Sequence, residues 1–144
     1  MNRLKQNQGA TMVEFAISLG VLLLMLLAVA EFGAIYKDLM VLNQAAREGV
    51  RMAAVGATSD TVTGEVRSAA STLNAAQITV TTAYSGDDGT TFALTPGVVN
   101  SRNNIPSEAL IRVHAEYPHR LLTSLVLPGK TEVTLRCDMI MQRQ

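Results

Sequence analysis

Between Phe15 and Ala30 the chain carries no charged residue, and its centre, Val21-Leu22-Leu23-Leu24-Met25-Leu26-Leu27, is apolar without a break. A helix on a soluble core shows an apolar stripe; one that is apolar all round belongs in a large core or in lipid. A chain of 144 residues builds only a modest core. Lipid, or a packed bundle of like helices, is therefore the expected surrounding. The uncharged run is somewhat short of the ~20 residues that cross a bilayer core. Ala10 to Val13 and Phe32 to Tyr36 make up the length, provided Glu14 and Glu31 lie near the two interfaces or find partners.

The helical pattern does not stop at the membrane edge. Ile35, Leu39, Leu42, Ala46, Val50 and Ala53 recur at spacings of three and four, and Lys37, Asp38, Gln44, Arg47, Glu48 and Arg51 fall mostly on other faces. No proline precedes Pro96. One long helix from about Thr11 to about Val55 is predicted, with Gly56 as its C-cap. A second helix is capped by Ser59 or Asp60 and turns Val62, Val66, Ala69, Ala70 and Leu73 inward. After Asn74 the period changes to two. Ile78, Val80 and Thr82 form one face of a strand, Gly86-Asp87-Asp88-Gly89 reads as a hairpin turn, and Phe92 to Leu94 as a short strand. Pro96 to Pro106 is loop-like. Leu110 to Tyr117 alternates, Arg120 to Leu127 reads as a short helix or turn between Pro118 and Pro128, and Thr131 to Met141 is the clearest strand. Helices followed by strands give an α+β fold: a long N-terminal helix, a second helix, then a small antiparallel sheet of three or four strands.

Composition removes several function classes. Lys plus Arg and Asp plus Glu both number 12, so the net charge is zero and there is no electrostatic footprint for nucleic acid. Cys137 is the single cysteine and alternates onto an apolar strand face, where it reads as a small core residue. His114 and His119 are the only histidines and read as structural or solvated. Asp87 and Asp88 lack the spaced ligands of a calcium loop. No nucleophile elbow and no phosphate loop occurs. No catalytic set, metal site or cofactor site is expected, and the chain is read as not an enzyme.

The N-terminus carries the chemistry. Gly9-Ala10-Thr11-Met12-Val13-Glu14-Phe15 stands directly before the apolar run. A secretory signal is cut after its hydrophobic segment; a cut between Gly9 and Ala10 would keep that segment and place Glu14 fifth in the mature chain. A carboxylate at the end of an apolar segment is costly without a partner, and an α-amine freed by cleavage, on the same or a neighbouring subunit, would supply one. Glu31 is read as a residue at the outer interface, with pairing inside a fibre as the other reading. Arg47, Glu48 and Arg51 are read as solvated or as intersubunit salt-bridge residues, Glu48 and Arg51 having the spacing of a surface pair.

At these residues the sequence resembles the TadE-like family of the tight-adherence (Flp) pilus system. The matching pieces are Gly9-Ala10 with Val13-Glu14-Phe15-Ala16, then Ala30-Glu31-Phe32-Gly33, then Gln44-Ala45-Ala46-Arg47-Glu48-Gly49-Val50-Arg51-Met52-Ala53. Gly20 departs from the pattern, standing where family members often carry proline. The resemblance implies a minor pilin or pseudopilin of a type IV-like pilus or secretion fibre. It implies cleavage by a prepilin peptidase, and partnership with other pilins or pseudopilins and with an inner-membrane assembly platform. The chain would then divide into a leader (1–9), the transmembrane part of the long helix (10–36) and a periplasmic or extracellular head (37–144), with the N-terminus in the cytoplasm. Charge does not decide the orientation, since Arg3 and Lys5 on one side nearly balance Lys37, Arg47 and Arg51 on the other. Two rivals fit the pattern: a binding module secreted by signal peptidase cleavage after Ala28-Val29-Ala30, and an uncleaved membrane-anchored binding protein.

Overall fold

The structure is a computed structural model that describes residues 3–123 and 129–144, with side chains from Gly9 onward. Helix α1 (Arg3–Ala54) is one uninterrupted element of 52 residues, about 78 Å long at 1.5 Å per residue. Helix α2 (Ser59–Ala69) and a 3-10 turn (Ala75–Gln77) follow. The strands are β1 (Thr79–Tyr84), β2 (Val98–Val99), β3 (Arg102–Asn103), β4 (Leu110–Arg120) and β5 (Glu132–Gln142). The fold is α+β: a three-stranded antiparallel sheet in the order β1-β4-β5, a two-stranded ribbon β2-β3, and two helices.

The core lies between the second half of α1, α2 and one face of the sheet. Leu42, Ala45, Ala46, Val50 and Ala53 of α1 meet Val62 and Val66 of α2, Ile111, Val113 and Ala115 of β4, and Leu135 and Cys137 of β5. The odd-numbered positions of β4 and β5 face this core, as their alternation demands. Helices α1 and α2 touch at Gly49, where a Cβ would overlap the Val66 Cγ2 methyl. The packing therefore needs glycine there.

The C-terminus of α1 is closed twice over. Gly56, at φ +102°, forms a Schellman turn, its N–H bonding Ala53 O while the Ala57 N–H bonds Met52 O. The β2-β3 ribbon and the chain terminus then cap what remains. Asn103 Nδ2 donates to Ala53 O at 2.9 Å and Ala57 O at 2.8 Å, Arg102 donates to Val55 O, and the Gln144 N–H donates to Ala54 O.

Several local expectations are corrected. Thr58, one residue upstream of the expected cap, caps α2, and Ala69 is exposed. Phe92 to Leu94 contributes a single bridge, Leu94 to Tyr84, rather than a strand. The Gly86–Gly89 turn is wound on itself by Ser85 Oγ, which accepts the Asp87 and Gly89 N–H groups, and by Asp87, which accepts from Thr91. These bonds return only Leu94 to the ladder; Phe92 instead lies under the Arg112 guanidinium, 4.9 Å from ring centroid to Cζ. The polar stretch from Pro96 to Pro106 holds the β2-β3 ribbon, whose tight turn places Asn100 and Ser101 at positive φ.

Pro118 does not end β4, which continues to Arg120. The Ser85 N–H donates to Leu110 O and the Leu121 N–H to Thr131 O, so even-numbered positions of β4 bond toward β1 and odd ones toward β5. Pro118 lacks an N–H only on the β1 side, and β1 pairs no farther along than Glu116. The missing donor therefore costs the sheet nothing. The expected helix or turn over Arg120–Leu127 is replaced at its start by strand, and its 124–127 portion lies outside the described residues.

Candidate processing and assembly site

Gly9 and Ala10 lie within α1 and are exposed, one turn before Glu14 and Phe15, which are exposed as well. No ion pair joins Glu14 to another described side chain. In this uncleaved chain the Ala10 nitrogen is an amide. A cut before it would create an ammonium four residues from Glu14, and residues four apart in a helix are surface neighbours. The helix thus places the candidate cleavage residues and the candidate pairing residues on adjacent turns. The apolar segment that follows is bare: none of its most apolar window is buried against the rest of the chain. The helix is long and apolar enough to cross a membrane.

Glu31 is 1 % exposed and satisfied within its own chain. Its carboxylate accepts the Leu122 N–H at 2.8 and 3.0 Å and the Thr123 N–H at 3.1 Å. His119 stands beside it, with Nε2 4.0 Å from Glu31 Oε1 and Nδ1 2.7 Å from Asp38 Oδ2. A carboxylate, an imidazole and a second carboxylate therefore tie two turns of α1 to the end of β4. Buried charge is tolerated only with such bonding. The sequence contained one usable hint: His119 shares the odd parity of Ile111, Val113, Ala115 and Tyr117, which face inward. Nothing in the sequence paired it with Asp38, 81 residues away.

Arg47 is exposed and, with Met40, Asn43 and Gln44, lines a shallow groove on α1. Glu48 and Arg51 pair with each other along the helix. The hydrogen bond and charge of Glu48 push the Arg51 guanidinium above its ordinary value. The structure brings Glu48 and Arg51 together and leaves both Arg47 and the Glu14 turn apart from them.

The outer face of the sheet carries a polar ladder. His114 bonds Asp138 Oδ1 at 2.9 Å and Glu116 Oε1 at 3.2 Å, and Arg136 reaches Glu116 at 2.7 Å. Burial opposes the charged imidazole, but the bonds to Glu116 and Asp138 outweigh it and raise the His114 pKa. The His114 bond chiefly lowers that of Glu116. These are surface groups on one face of a sheet. Among the described residues no cluster of three or more His, Cys, Asp or Glu side chains could hold a metal ion.

An exposed apolar helix with a carboxylate near its start, continuing unbroken into a head, is the arrangement against which known families can be compared. The family model described as TadE-like protein matches residues 9–51. The chain carries a TadE-like segment. No curated protein and no solved structure matches it. The TadE-like segment begins at the candidate cleavage glycine and ends at Arg51, one turn short of the Schellman cap. It includes Glu14, Phe15, Glu31, Arg47 and Glu48, whereas Asn103, His119 and the β4 end that hold the helix to the head lie outside it.

Proposed function

We propose that this Tad pilus-associated protein is a minor pilin or pseudopilin, processed between Gly9 and Ala10 and anchored by the first half of α1. The observation that carries the reading is the division of labour along one helix. Its first half is apolar and bare, its second half is the core of the head, and nothing interrupts it between. In this reading the head stands on the periplasmic side and the helix waits in the inner membrane. An assembly platform then draws the helix into a fibre or a fibre-priming complex, where neighbouring helices replace lipid. Ala16, Ser18, Gly20 and Ala28 provide small surfaces for such packing. The protein acts by assembly with other pilins, without catalysis and without a cofactor.

The test is the mature N-terminus, read by intact mass of protein from native membranes with and without the prepilin peptidase. A start at Ala10 that depends on the peptidase is expected. A start at Glu31 would replace the proposal with a secreted module, and an intact Met1 with a simple anchor. The continuous helix around Ala30 and the buried Glu31 support the first outcome over the second.

A further inference from the structure

The head has two ends, and one of them is set at the height where the apolar helix surface stops. Residues 10 to 30 of α1 rise about 31 Å at 1.5 Å per residue, matching a hydrocarbon core of about 30 Å. Glu31 therefore sits at the boundary. Strand β4 runs alongside α1 in the opposite direction. His119 meets Asp38, and three residues later Leu122 meets Glu31. Three extended residues and seven helix residues both cover about 10 Å, so Leu122, just past the end of β4, stands at the level of Glu31.

At that level the head exposes an apolar side chain. Leu122 is 70 % exposed although its backbone N–H is clamped to Glu31. Val29 and Phe32, within a turn of Glu31 on other faces of α1, are exposed too, so apolar side chains surround the helix at this level. Arg120 and Lys130 flank the turn and are exposed, against one acid, Glu132, opposite Arg120 in the ladder.

We propose that the end of β4 is a second membrane contact, with Leu122 inserted into the lipid interface beside α1 and Arg120 and Lys130 at the level of the phosphate headgroups. The inference rests on the reading of α1 as a membrane-crossing helix. A lipid surface is the occupant that the position supplies: it surrounds the helix at this height, takes up an exposed leucine and offers phosphate oxygens that bond basic side chains. The contact also gives Glu31 a second purpose. Its carboxylate, placed where charge is costly, is withdrawn from lipid by the backbone of the residue that inserts. Two points of attachment, helix and turn, then hold the head in one orientation to the bilayer instead of leaving it free to swivel about α1.

The experiment uses the full chain in nanodiscs of phosphatidylethanolamine and phosphatidylglycerol. In a Cys137→Ala background, a nitroxide is attached singly at Leu122→Cys, Val21→Cys or Ile140→Cys, and its collisions with oxygen and with a water-soluble nickel chelate are measured. Leu122 and Ile140 are exposed, so neither label displaces the core. The expected result is a label at 122 that loses most of the nickel collision seen at 140 and gains oxygen collision, at a depth shallower than the label at 21. Nickel access at 122 equal to that at 140, with the label at 21 still buried in acyl chains, would overturn this inference and leave the spanning helix intact. Nickel access at 21 as well would overturn both. Adding Glu31→Ala to the 122 label should restore nickel access, because residue 122 is no longer held to α1; an unchanged depth would show that Glu31 does not position it.

Discussion

Replacing Glu31 by alanine should detach the end of β4 from α1, and the structure sets the size of the effect. Two backbone N–H groups donate to a carboxylate that is 1 % exposed. Hydrogen bonds to a charged group contribute about 1.5–3 kcal/mol each, a gross loss of about 3–6 kcal/mol. The desolvation cost of the carboxylate vanishes with it and offsets part of that. Removing one partner of a buried charged arrangement costs about 3–5 kcal/mol in other proteins, so about 3 kcal/mol is expected. At 1.4 kcal/mol per factor of ten, local opening becomes roughly a hundredfold more frequent. Hydrogen exchange of the Leu122 and Thr123 amides, read by NMR on the full chain in micelles, should accelerate by about that factor. Glu31→Gln keeps one neutral acceptor and should lose about 1 kcal/mol. Amides at 122 and 123 that exchange equally fast in wild type and in Glu31→Ala would refute the clamp.

The two glycines of the α1–α2 pair should respond with opposite signs. Gly49→Ala drives a methyl into Val66 and should destabilise by about 1–3 kcal/mol in urea unfolding, whereas Gly64→Ala, with open space around it in α2, should stabilise by about 0.5–1 kcal/mol. The raised pKa of His114 means that its ion pairs contribute stability below about pH 6.5, the unfolded value, and lose it as pH rises through the folded value; His114→Gln should flatten that slope in thermal melts across pH. Burial pushes the Cys137 thiol up to about 11, so Ellman's reagent at pH 8 should react slowly with the native protein and promptly in urea. Glu14→Ala should leave peptidase cleavage in place and lower incorporation into fibres or priming complexes, measured by pull-down of partner pilins; unchanged incorporation would count against pairing with the freed amine.

Much of this protein is settled by local pattern. The apolar run from Phe15 to Ala30, the three-and-four spacing that extends it to Ala53, Gly56 as the stop, and the alternation of Ile111 to Tyr117 and Val133 to Met141 each follow from the period of one element against one surface. The candidate cleavage and pairing residues, Gly9, Ala10, Glu14 and Phe15, are equally local, lying within two turns of a single helix. What depends on distant segments was decided only by the tertiary structure. Glu31 is polar next to an apolar run and reads as interfacial by sequence; its burial follows from where β4 ends, 91 residues later. Pro118 reads as a strand terminator until the lengths of β1 and β4 show that its missing N–H faces no partner. His119 and Asp38 are unremarkable apart, and Asn103 reads as loop until it closes the C-terminus of α1. The physical reason is the same in each case. Periodicity reports which face of an element is buried, while the partner of a buried polar group is set by strand length, register and the meeting point of two chains far apart in sequence.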